Sequence, residues 1–159
     1  MTGEAPDGSR ASSPAAGALP FTVRLVRWTD AEAALRAIRL AVFVVEQRVP
    51  EALEWDAMDA PSTHALAVAA AGAPIGCGRL LPDGHVGRMA VLAPWRGRGV
   101  GAAVLAALVE LASERGHPRA ILNAQVTAVP FYERYGFVTT GDVFDEAGID
   151  HRVMTRDLR

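Results

Sequence analysis

Between His85 and Gly116 the chain reads HVGRMAVLAPWRGRGVGAAVLAALVELASERG, and few folds accommodate that run. Val86, Met89, Val91 and Leu92 form an apolar strand, which Pro94 and Trp95 leave. Gly97, Gly99 and Gly101 then let the backbone turn closely. Val104, Leu105, Leu108, Leu111 and Ala112 recur at helical spacing directly afterwards. A glycine-rich turn opening a helix leaves several N–H groups unpaired, and the helix dipole favours an anion there. Arg96 and Arg98 stand at this positive end, where cationic side chains are disfavoured; a bound anion removes the conflict. The turn reads as a phosphate cradle.

Three phosphate-binding patterns compete for it. Gly97-x-Gly99-x-x-Ala102 fits a dinucleotide fingerprint, but that pattern wants an acid ending the next strand, and AILNAQ has none. A P-loop needs a Gly-Lys pair, and the chain contains no lysine. Arg96-x-x-Gly99-x-Gly101, after an apolar strand and before an apolar helix, resembles the coenzyme A signature of the GCN5-related N-acetyltransferases (GNAT superfamily). The plain alternative is a structural glycine turn without a ligand.

At 159 residues the chain reads as one domain able to bury a core, with half its residues apolar. A net charge of −2 gives no electrostatic reason to expect nucleic acid or an anionic membrane as partner. Cys77 is the only cysteine, so an intrachain disulfide is impossible and a reducing, cytoplasmic setting is expected. No apolar run approaches the roughly 20 residues that span a bilayer. Residues 1–20, rich in Ala, Ser, Gly and Pro, read as a disordered tail without the apolar core of a secretory signal; residues 21–159 form the domain.

Phe21–Trp28 alternates apolar and basic residues as a half-buried strand does. Thr29 and Glu32 have capping-box spacing, and Ala34, Leu35, Ile38, Val42 and Phe43 give the following helix an apolar face. A short second helix is expected at Glu51–Met58, in the most acidic region of the chain. Strands follow at His64–Ala70, Pro74–Leu81 and His85–Leu92. After the apolar helix comes Ala120–Gln125, parallel to the central strand, then a helix from a Thr127 cap through Tyr135 to Gly136. Phe137–Phe144 and His151–Arg156 close the chain as a hairpin. This order matches the α/β fold that the resemblance implies: a mixed, mostly antiparallel sheet of about seven strands with about four helices.

The resemblance also implies a site. The backbone of Arg96, Gly97, Arg98, Gly99, Val100, Gly101 and Ala102 would hold the pyrophosphate of acetyl-CoA. Met89, Ala90 and Val91 would pair with the pantetheine arm as an added strand does, with the N–H of Ala90 or Val91 as oxyanion donor. Asn123 would touch the acetyl-pantetheine. In Phe131-Tyr132-Glu133-Arg134-Tyr135-Gly136-Phe137, Tyr132 matches a tyrosine that protonates the departing sulfur, although core packing within an aromatic cluster is its plain alternative. A phenol is fully protonated at neutral pH, which suits the task.

For the base that deprotonates the amine, Glu46, Glu54, Asp59 and His64 are candidates. The stretch VFVVEQRVPEALEWD followed by a histidine is similar to the bacterial ElaA type, in which this segment borders the acceptor and its acids would attract a cationic amine. Glu51 and Asp56 read as solvated carboxylates, and His64 at a strand start as a structural histidine before a base. Arg79 and Arg88 would face a substrate carboxylate or pair with the acids. Cys77 reads as a small buried hydrophobe. The expected reaction is direct acetyl transfer from acetyl-CoA to an amine of a small molecule or peptide, without a metal, since no His/Cys/Asp cluster has ligand spacing. A non-catalytic acyl-CoA sensor and a protein N-terminal acetyltransferase are the rival readings. The acceptor, the acyl length and a homodimer as against a monomer stay open.

Overall fold

The computed structural model describes residues 20–159, so the tail expected over 1–20 lies, but for Pro20, outside the described residues. In chain order the elements are β1 (Phe21–Arg27), α1 (Trp28–Arg39), α2 (Glu51–Glu54), β2 (Thr63–Ala69), β3 (Pro74–Leu80), β4 (His85–Val91), α3 (Val100–Glu114), β5 (Arg119–Gln125), α4 (Val129–Glu133), β6 (Val138–Glu146) and β7 (Ile149–Asp157). The seven strands form one sheet in the order β1-β2-β3-β4-β5-β7-β6, antiparallel except where β4 meets β5.

The middle of the sheet is buried on both faces because its inner strands alternate between two cores. Ala65 and Ala67 of β2 join the cluster built on Val104, Leu105 and Leu108 of α3, while Leu66 joins Leu35 and Ile38 of α1 on the other side. Helix α3 lies unusually near β3. A Cβ added at Gly78 would come within 2.8 Å of Leu108 and 2.9 Å of Val104, so only glycine permits this approach.

One irregularity shapes everything that follows. Arg79 and Cys77 pair with Gly87 and Ala90, so Arg88 and Met89 together oppose the single residue Gly78. This bulge forces Arg88 to φ +50°, and it bends β4 out of line. The parallel pairing with β5 consequently covers only His85↔Ile121 and Val86↔Leu122. Beyond Val86 the two strands part, and the β4 edge facing β5 is left without a ladder.

Several local expectations need correction. No Thr29–Glu32 capping box forms: α1 starts at Trp28 without a side-chain cap, Ala31 is non-helical, and Glu32 instead accepts a 2.8 Å hydrogen bond from Arg36. The apolar face continues past Arg39 as a π-helical turn, Leu40–Glu46, a widening that a 3.6-residue periodicity does not signal. The second helix stops at Glu54 rather than Met58. Thr127 sits in a 3-10 turn and caps nothing, and α4 ends at Glu133 rather than Tyr135. The final hairpin turns tightly at Ala147 (φ +54°) and Gly148 (φ +81°), so its strands run longer than expected. Among the described residues no helix is long and apolar enough to cross a membrane.

Candidate active site

The gap between β4 and β5 opens into a cleft of about 950 Å³. Its walls come from the π-helical turn, α2, β4, the start of α3, β5, α4 and the β6–β7 hairpin. Every residue expected to hold the cofactor lines it except Arg98.

At one end stands the glycine turn. Gly99 caps α3 at φ +86° and no side chain caps the helix. The first helical bond is Ala103 N–H to Gly99 O, 3.0 Å, so the amides of Val100, Gly101 and Ala102 have no partner within the helix. Three adjacent unpaired donors at a helix start facing a cleft suit an anionic oxygen. The two arginines of the turn are engaged elsewhere. Arg96 pairs with both oxygens of Glu46 and donates from Nε to Val91 O at 2.9 Å. Arg98 lies over the ring of Trp95, 5.0 Å from its centroid. The charge conflict at Arg96 is thus already relieved from within the chain.

Tyr132 stands on the α4 wall, 8% exposed, edge-on to Phe131 and Phe137. Among the described residues its hydroxyl has no hydrogen-bond partner, and burial pushes its pKa up to about 12. Its ring thus packs in the aromatic cluster while the residue also lines the cleft.

The acidic segment is neutralised. Arg39, almost completely buried, donates to Glu54 (2.8 Å) and Asp59 (2.7 Å). Arg79 bonds Asp56 (2.8 Å) and Asp59 (3.0 Å), and Nε of Arg88 lies 3.0 Å from Glu54. Three arginines therefore meet three carboxylates, and Asp56 is not the solvated acid expected. Burial alone would raise both aspartates, but the hydrogen bonds from Arg79 and Arg39 outweigh it and hold them below the usual range. For Glu54 burial wins, and its carboxyl is raised. Glu51 stays exposed and accepts from Trp55 Nε1.

The structure does not bring His64 to the cleft. It is buried on β2, with Nε2 2.9 Å from Asp59 O and its ring 5.3 Å from Trp28, and burial lowers its pKa. Cys77 is buried as a hydrophobe, its thiol pushed up to about 12 by desolvation. Glu46 reaches the cleft, but the hydrogen bond from Arg96 holds its carboxyl below the usual range. Asn123, the first β5 residue past the parting, donates from Nδ2 to Glu146 Oε1 at 3.1 Å.

Glu146 and His151, on the hairpin, line the cleft without having been anticipated as site residues. Phe144 pairs with His151 and Glu146 with Ile149, which makes Glu146 and His151 diagonal neighbours on one face. The sequence holds the cue only for a reader who places the turn at Ala147-Gly148, and an Ala in the left-handed region is a poor turn signal.

Comparison with known proteins agrees with this geometry. A family model described as acetyltransferase (GNAT) domain matches residues 28–158. An uncharacterised N-acetyltransferase, YjcF of Bacillus subtilis, is 40% identical over 76% of this chain and 88% of its own length. The crystal structure of an acyl-CoA N-acyltransferase from Pseudomonas aeruginosa superposes with a TM-score of 0.75 at 29% identity, over 86% of this chain and 99% of that one. Escherichia coli ElaA superposes with a TM-score of 0.76 at 26% identity, over 86% and 99% of the two chains. With its sheet parted over an uncapped glycine turn, the chain belongs to the GNAT family of acyl-CoA-dependent acetyltransferases and resembles ElaA.

Proposed function

We propose that this enzyme moves the acetyl group of acetyl-CoA directly onto a primary amine of a small molecule or peptide. The observation that carries the reading is the parting of β4 from β5 beside three unpaired amides at the start of α3. The pyrophosphate lies on the amides of Val100, Gly101 and Ala102. The pantetheine arm takes the bare edge of β4 at Met89–Val91, and an N–H of Ala90 or Val91 faces the thioester oxygen as it gains charge.

Tyr132 offers its proton to the sulfur. A hydroxyl pushed up to about 12 keeps its hydrogen throughout the working pH range. Glu46 serves by holding Arg96, which in turn fastens the glycine turn to β4. His64 supports the wall from behind through Asp59.

Thiol release from acetyl-CoA in the presence of an amine panel tests the reading. Saturable turnover with at least one amine is expected, together with micromolar-range binding of acetyl-CoA by calorimetry. Binding without turnover for every amine supports the acyl-CoA sensor instead.

A further inference from the structure

Three carboxylates line the cleft, Glu46, Glu54 and Glu146, and of these three only Glu146 has no arginine partner among the described residues. Asn123 holds its Oε1 at 3.1 Å, and its Oε2 lies 4.0 Å from Nε2 of His151. That distance is too long for a direct hydrogen bond, and it lets one nitrogen atom sit within bonding reach of both groups. His151 is 6% exposed, and its ring stacks on Phe144 with centroids 5.9 Å apart. Its Nδ1 lies 2.7 Å from Ile149 O. A carbonyl can only accept, so Nδ1 carries the hydrogen and Nε2 presents a lone pair. Across the sheet His151 faces Gln125 on β5 and Phe144 on β6, neither titratable, which leaves Glu146 as the charged group against the ring. His85, the other histidine on the cleft, stands where the strands are still paired and is tied to Asp83.

Resting on the transferase reading above, we propose that Glu146 and His151 form the ammonium site, with Glu146 binding the charged amine and His151 removing its proton. The substrate ammonium gives one proton to Nε2 and becomes a nucleophile. Its lone pair forms the C–N bond at the thioester carbon, and the C–S bond then breaks. The surplus proton on the new amide nitrogen leaves to solvent, His151 releases the one it took to solvent as well, and the sulfur receives one from Tyr132, which regains it from solvent. One ammonium and one thioester thus yield amide, free thiol and a single released proton. The neutralised acids of the α2 segment take no part in attracting the amine.

The experiment compares two nucleophiles with acetyl-CoA: ethanolamine, protonated at neutral pH, and hydroxylamine, which is neutral there. His151→Gln should lower kcat/KM for ethanolamine by about 10²–10⁴ at neutral pH, recovering as pH rises, while hydroxylamine loses less than about tenfold. Acetyl-CoA affinity by calorimetry should match wild type, which also reports folding. Glu146→Gln, at an exposed position, should raise KM for ethanolamine about tenfold or more and spare hydroxylamine. Equal losses for both nucleophiles, or an unchanged ethanolamine rate, overturn the assignment alone. Wild-type protein that binds acetyl-CoA and acetylates no amine overturns the transferase reading and this assignment with it.

Discussion

Arg96 grips both carboxylate oxygens of Glu46, at 2.6 and 2.7 Å, across 50 positions of the chain. The same guanidinium reaches Val91 O, so one side chain ties the π-helical turn to the end of β4 and the start of the glycine turn. Both partners are nearly half exposed, so the pair adds under about 1 kcal/mol to stability. Its effect is on geometry. Glu46→Ala should raise KM for acetyl-CoA severalfold and lower kcat by less than about tenfold. A loss of about 10²–10⁴ in kcat at unchanged KM would instead make Glu46 the proton acceptor.

Replacing Tyr132 with Phe keeps the aromatic packing and removes the hydroxyl. Turnover should fall by about 10²–10⁴ while acetyl-CoA affinity changes less than about threefold. The wild-type rate should show no alkaline limb from this residue below the value of about 12 to which burial lifts it. Stability has the same sign: the contribution is intact below the ordinary tyrosine range and is lost as pH rises through the raised value. A Phe variant with unchanged turnover removes Tyr132 from the chemistry.

At Gly99 two effects separate cleanly. A Cβ there meets no atom within 4 Å, but φ is +86°. Gly99→Ala should therefore cost about 1–2 kcal/mol in stability from backbone conformation alone. Gly99→Glu adds a negative charge at the cradle and should weaken acetyl-CoA binding more than about tenfold beyond the Ala variant. Calorimetry showing equal affinity for the two variants would remove the pyrophosphate from this turn.

Arg39 neutralises Glu54 and Asp59 in a buried setting, and its truncation leaves both without that partner. Arg39→Ala should destabilise the fold by about 3–5 kcal/mol. In the wild type, Asp56 and Asp59 are held low, so their stabilisation is present above the ordinary aspartate range and disappears as pH falls through their lowered values. Glu54, held high by burial, works with the opposite sign: its contribution is present below the ordinary glutamate range and lost as pH rises through its raised value. The melting temperature should thus fall as pH drops below about 4, where the aspartates take up protons. A flat profile down to pH 2 would contradict the network.

Cys77 is buried, with its thiol lifted to about 12. Iodoacetamide should label native protein far more slowly than unfolded protein, and Cys77→Ala should keep kcat within about twofold of wild type.

The order of elements and the glycine turn that opens α3 are legible in the sequence because they rest on local signals. Val86 to Leu92, the three turn glycines and the leucine spacing of α3 each act within a few residues. The acidic segment and the hairpin wall of the cleft are written in pairings that span the chain. Asp56 and Glu54 read as acids until Arg79 and Arg88, 23 and 34 positions away, arrive beside them. His151 reads as an ordinary strand residue until the hairpin register sets it diagonal to Glu146. The capping box failed for a related reason: Glu32 had a nearer cation in Arg36 than the backbone N–H it was expected to reach.

Among the described residues only two paired positions, His85↔Ile121 and Val86↔Leu122, join the β1–β4 wing of the sheet to the β5–β7–β6 wing. A thioester arm lying along the bare strand edge, as proposed, would supply missing rungs, so cofactor loading would weld the two wings. Amide exchange should therefore slow on both sides of the seam when acetyl-CoA is added, far from any atom it touches.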